Sequence, residues 1–112
     1  CLRDYIHIRD ICNAVDKSIL YVIKYKNNNV FNLGSGKAMS NLDIARYIQA
    51  KYRKKNIIKF KNKRKGDTPK LFCSIRKAKK ILNWKPNHSD IFRIVNDEID
   101  WNNYLAKKNV HR

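Results

Sequence analysis

Apolar residues recur at spacings of three and four in four stretches of this chain, and elsewhere they occur only in short runs. Ile11, Ala14, Val15, Ile19 and Val22 share one face of a first helix, predicted to pack on a core. Asp10 stands as its N-cap, and Lys24 to Lys26 put cations at the negative end of its dipole. Leu42, Ile44, Ala45, Ile48 and Tyr52 mark a second helix, entered through the capping-box pattern Ser40-Asn41-Leu42-Asp43. A third follows Ser74, with Ile75, Ala78, Ile81 and Leu82 inward, and stops at Trp84-Lys85-Pro86. A fourth follows Ser89 or Asp90 and turns Ile91, Ile94, Val95, Ile99 and Trp101 to the core. Trp84 and Trp101 both read as anchors between helices.

The runs between helices read as short extended pieces: the alternating stretch before Asp10, then Val30 to Leu33, Asn56 to Lys61, and Leu71 to Cys73. Asn27-Asn28-Asn29, Gly34-Ser35-Gly36 and Asn62 to Pro69 punctuate them as turns and loops. Helices alternating with strands give an α/β class, with about four helices and strands that need partners from outside. Residues 1–106 form the ordered portion, and 107–112 are expected to fray. The first residue is not Met, and the chain opens inside what looks like a structural unit. The expectation is therefore a C-terminal piece of a longer protein, incomplete as a domain, with apolar surface exposed where the rest would pack.

At 112 residues and 43% hydrophobic, the chain is one domain at most, with a modest core. No apolar run is long enough to span a bilayer, and nothing in these residues resembles a targeting signal. Cys1, Cys12 and Cys73 are odd in number and form no CxxC pair, which reads as a reduced, cytoplasmic protein. The formal charge of +17 raises the possibility of a nucleic-acid partner, with a run from Lys51 to Lys65 free of acids. Joint richness in Lys, Asn and Ile is what an AT-rich coding sequence produces, and only Tyr52 and Phe60 interleave that run. A basic nucleic-acid-binding module thus stays as the alternative from another class rather than the leading reading.

Three apparent motifs carry little. Gly34-Ser35-Gly36 begins like a dinucleotide fingerprint, but Met39 stands where the third glycine belongs. Tyr-x-x-x-Lys occurs at Tyr47/Lys51 and Tyr104/Lys108, as chance allows in a lysine-rich chain. His7, His88 and His111 are far apart in sequence and suggest no metal site.

A series of segments, in order, carries more. Cys1-Leu2-Arg3-Asp4-Tyr5-Ile6-His7-Ile8-x-Asp10 resembles the stretch that opens the last third of UDP-glucose 4-epimerases, extended short-chain dehydrogenase/reductase-type enzymes. Asn32-Leu33-Gly34-Ser35-Gly36 with Ser40 is similar to their strand–loop–helix junction, and Arg64-Lys65-Gly66-Asp67-x-Pro69 to their Arg-x-Gly-Asp loop. Ser74-x-x-Lys77-Ala78, Leu82-x-Trp84-x-Pro86 and Trp101 match their last two helices. The sister nucleotide-sugar dehydratases and decarboxylases are the second choice within the superfamily.

The resemblance implies the substrate-binding lobe of an extended Rossmann-type enzyme, an isomerase that interconverts UDP-glucose and UDP-galactose. Arg3 and Arg64 would contact the diphosphate of a UDP-sugar, Asp67 would accept hydrogen bonds from the ribose, and Gly66 would let the loop backbone approach closely. Two Arg residues suit a diphosphate because their guanidinium forks bind it bidentately. The family's chemistry runs on tightly bound NAD, and the family enzymes are often homodimers. The NAD-binding region and the catalytic residues lie in an N-terminal cofactor domain not seen in this sequence. No catalytic, cofactor-binding or metal-binding residue is therefore assigned here, and the separate chain is expected to be inactive.

Overall fold

A computed structural model describes residues 1–53 and 58–108. Among the described residues seven elements follow in chain order: β1 (Leu2–Arg3), α1 (Ile8–Tyr25), β2 (Met39–Ser40), α2 (Asn41–Tyr52), β3 (Lys70–Leu71), α3 (Arg76–Leu82) and α4 (Ile91–Lys107). The four helices stand where apolar periodicity predicts them, and no helix among the described residues is long and apolar enough to cross a membrane. Ser40 caps α2 through a hydrogen bond from the Asp43 amide at 3.0 Å, and Asp90 caps α4 by accepting from Phe92 and Arg93.

The cap of α1 differs from expectation. His7, not Asp10, precedes the first turn, and its ring Nδ1 accepts from the Arg9 amide at 3.0 Å. Asp10 lies inside that turn, fully buried, its carboxylate directed at residues 88 and 89. Likewise α3 begins after Ile75 without a side-chain cap, Ser74 standing one residue further out.

The strands are fewer and placed differently. β1 is central in a three-stranded mixed sheet, antiparallel to β2 (Leu2 opposite Ser40) and parallel to β3 (Leu2 opposite Lys70). Strand 71–73 is therefore shifted to 70–71. Residues 30–33 are no strand, because no ladder partner reaches them among the described residues. Of the extended piece expected at 56–61, residues 58–61 take no regular structure, and 56 and 57 lie outside the described residues. Lys107 ends α4, and 109–112 of the expected frayed tail also lie outside them.

The core is small and sits between α1 and α3. Ala14, Ile75, Ala78, Leu82 and Trp84 form it, with Ile6, Tyr21, Phe31, Leu33 and Cys73 packed around. Trp84 is fully buried and its indole N–H donates to the Asp10 carbonyl at 2.8 Å, so it is an anchor as expected. Trp101 is not: it is 47% exposed and stacks on Tyr104, three residues further along α4. The period that assigned it inward cannot say how wide a stripe is covered, and α4 buries only Val95 fully. On α1, too, the predicted core face is mostly open. Only Ala14 of its apolar stripe is buried, while Val15, Ile19 and Val22 stay exposed, as does Ile81 of α3.

Candidate functional site

The central strand β1 and the loop that precedes β3 carry the three predicted site residues. Pro69 accepts from the Leu2 amide at 2.8 Å, which draws the loop before β3 against β1. Arg3 leaves β1 beside that loop, and its Nη1 donates to the Thr68 carbonyl at 2.8 Å and to its neighbour Leu2 at 2.9 Å. One residue before Thr68, Asp67 accepts from Arg64 Nε at 3.0 Å. The Arg64 side chain is 86% exposed and that of Asp67 29% exposed. The other guanidinium nitrogens of Arg3 and Arg64 have no hydrogen-bond partner among the described residues.

Gly66 explains the turn. The Asp67 amide donates to the Arg64 carbonyl at 3.2 Å, and Gly66 between them has φ +88°. That left-handed conformation calls for glycine. Among the described residues nothing lies within 4 Å of where a Cβ would sit, so the requirement inside the protein is conformational rather than spatial. The turn aligns Arg64 with Asp67, and a cationic fork and a carboxylate side by side can meet a phosphate and a hydroxyl of one ligand.

The Gly34-Ser35-Gly36 turn is occupied by the protein's own anion. The Asp4 carboxylate accepts from the Ser35 amide at 2.8 Å, the Ser35 hydroxyl at 2.5 Å and the Gly36 amide at 3.1 Å. A Cβ on Gly34 would collide with that carboxylate. Donors that could have cradled a pyrophosphate are thus committed to Asp4, and these residues do not fit NAD. The Tyr47/Lys51 pair is equally committed, both side chains reaching Asn96 Oδ1, at 3.3 and 2.6 Å.

A second polar cluster escaped the sequence reading altogether. The buried Asp10 carboxylate accepts from Ser89 Oγ at 2.5 Å, from the His88 amide at 2.9 Å and from His88 Nδ1 at 3.0 Å. Burial pushes its pKa up. The Ser89 hydroxyl and then the two His88 contacts outweigh that and hold it below the ordinary 3.8. Ser89 Oγ in turn accepts from the His7 amide at 2.9 Å, and His7 Nε2 meets Asp97 at 2.7 Å. Because Nδ1 of His7 accepts the Arg9 amide, neutral His7 carries its proton on Nε2 and donates it to Asp97. The His7 hydrogen bond draws the Asp97 pKa down, and its slight burial opposes this. These residues lie 78 to 90 positions apart, and no local pattern announces them. The burial of His7, Asp10 and Ser89 and the mutual satisfaction of the cluster make it a clasp of the fold rather than a reactive centre.

No family model matches the chain. Among individual proteins, it is 32% identical over 100 residues to the UDP-glucose 4-epimerase of Lacticaseibacillus casei, a match that takes in 89% of this chain. It is 35% identical over 107 residues to that of Mycoplasma pneumoniae, covering 88% of this chain. This chain is a relative of the UDP-glucose 4-epimerases. It spans 30% of the length of either protein and corresponds to the C-terminal portion that its motif order implied. The fold agrees. A UDP-glucose-4-epimerase from Stenotrophomonas maltophila, solved with bound NAD and formylated UDP-arabinopyranose, superposes with a TM-score of 0.88 at 23% identity. That superposition covers 96% of this chain and 32% of the other. The α/β architecture is thus that of one third of an epimerase.

Proposed function

We propose that this chain supplies the part of a UDP-glucose 4-epimerase that holds the UDP moiety of a UDP-sugar, with Arg3 and Arg64 on the diphosphate and Asp67 on the ribose. The observation that carries the reading is the hydrogen bond from Arg3 to Thr68. It sets the guanidinium of β1 beside a loop whose own turn pairs Arg64 with Asp67. The free nitrogens of the two forks offer charge-assisted donors to an anion. NAD and the hydride chemistry belong to the remainder of the epimerase. This polypeptide by itself neither turns over UDP-galactose nor retains NAD.

Calorimetric titration of the chain with UDP tests the assignment. Removing one charge-assisted contact forfeits about 1.5–3 kcal/mol, so Arg64→Ala should weaken UDP by about 10- to 100-fold. Arg64 is the better probe, because Arg3 also ties the loop to the sheet. Unchanged UDP affinity in Arg64→Ala refutes the assignment.

A further inference from the structure

We propose that the exposed basic segment from Lys59 to Phe72 binds single-stranded nucleic acid, a function beyond the UDP reading. Half of residues 59–70 are Lys or Arg, against 26 in the 112 residues of the chain, and the one acid among them, Asp67, is already paired with Arg64. Lys59, Lys61, Lys63, Lys65 and Lys70 are all exposed, and none of them makes an ion pair among the described residues. Ammonium groups held so close along the chain repel one another, and a polyanion relieves that repulsion while releasing its own counterions. An AT-rich coding sequence spreads lysines over a whole chain and does not by itself gather them in one exposed segment.

Two aromatic rings stand among these cations. Phe60, between Lys59 and Lys61, is 78% exposed, and Phe72 is 52% exposed. The Lys70 ammonium lies 4.7 Å from the centre of the Phe72 ring, so a phosphate held by the one sets its base beside the other. The basic run in the sequence offers only Tyr52 and Phe60. The fold adds Phe72, because residues 70–71 form the exposed outer strand of the three-stranded sheet and carry the ring out with them.

The rings select the partner. A side-chain ring stacks on a base only where that base is free of its duplex, which favours a single strand. An anionic membrane surface asks instead for a helix with a continuous apolar face opposite its cations, and residues 59–72 contain no helix.

The test is fluorescence anisotropy of a labelled oligouridylate of about 12 nucleotides, titrated with the chain at several salt concentrations and with UDP in excess. With five lysines on phosphates, the logarithm of the affinity should fall against that of the salt with a slope of about −3.5. Changing Lys59, Lys61 and Lys63 together to Gln should flatten that slope by about 2, whereas the same change at the exposed Lys79, Lys80 and Lys85 should leave it unaltered. Phe60→Ala with Phe72→Ala should weaken binding at least about 10-fold and keep the slope. An oligothymidylate in parallel tells RNA from DNA, and binding of either supports the proposal. Equal effects of the two lysine sets overturn it, as do unchanged affinity in the phenylalanine variant and equal affinity for a duplex of the same length. Binding to anionic lipid vesicles that the oligonucleotide does not displace overturns it as well and assigns the segment to a membrane surface. Arg3, Arg64 and Asp67 are untouched in every variant, so UDP affinity and oligonucleotide affinity fail separately.

Discussion

Replacing Asp10 by Asn probes the clasp with almost no change of shape. Three donors converge on the carboxylate: Ser89 Oγ, the His88 amide and His88 Nδ1. Two oxygens satisfy all three, whereas Asn offers one oxygen and turns an NH2 group toward the remaining donors. Asp10 is 0% exposed, so water cannot take over. One or two buried donors left without acceptors at about 1–3 kcal/mol each give a loss of about 1–6 kcal/mol. That is a large share of the 5–15 kcal/mol typical of a whole domain. Urea unfolding followed by tryptophan fluorescence measures it, since Trp84 sits on the Asp10 carbonyl.

The pH dependence gives a second, independent reading of Asp10→Asn. A carboxyl held below 3.8 in the folded protein contributes stability that is fully present above that value and lost as pH falls through the lower folded one. The parent should therefore weaken below pH 3.8, and the Asn variant should show a shallower acid limb, with Asp97 supplying what remains. A loss under about 0.5 kcal/mol at neutral pH, with the acid limb unaltered, would refute the claim that this carboxylate ties the first turn of α1 to residues 88–89.

Gly34→Ala should destabilise the chain by about 1–3 kcal/mol, because its Cβ would displace the Asp4 carboxylate from the 35–36 amides; the same melts measure it. The two tryptophans should part company: Trp84→Ala costs about 3–5 kcal/mol, and Trp101→Ala under about 1 kcal/mol. Equal losses at the two positions would restore Trp101 to the core.

The helices and the caps of α2 and α4 were legible in the sequence, because they rest on contacts within a few residues. Ser40 with Asp43 and Asp90 with Phe92 are such contacts. The three proposed binding residues were legible only through the resemblance, since spacing alone leaves Arg64 as one cation in a basic run. The tertiary structure decided what distance in sequence hides. It bonded Arg3 to Thr68 across 65 positions and wrapped Gly34-Ser35-Gly36 around Asp4. It also buried Asp10 beneath His88 and Ser89, leaving the first helix to His7. A two-residue strand exists only where a neighbour accepts its hydrogen bonds. Met39–Ser40 and Lys70–Leu71 therefore became strands beside β1, while Val30 to Leu33, the better strand by composition, did not.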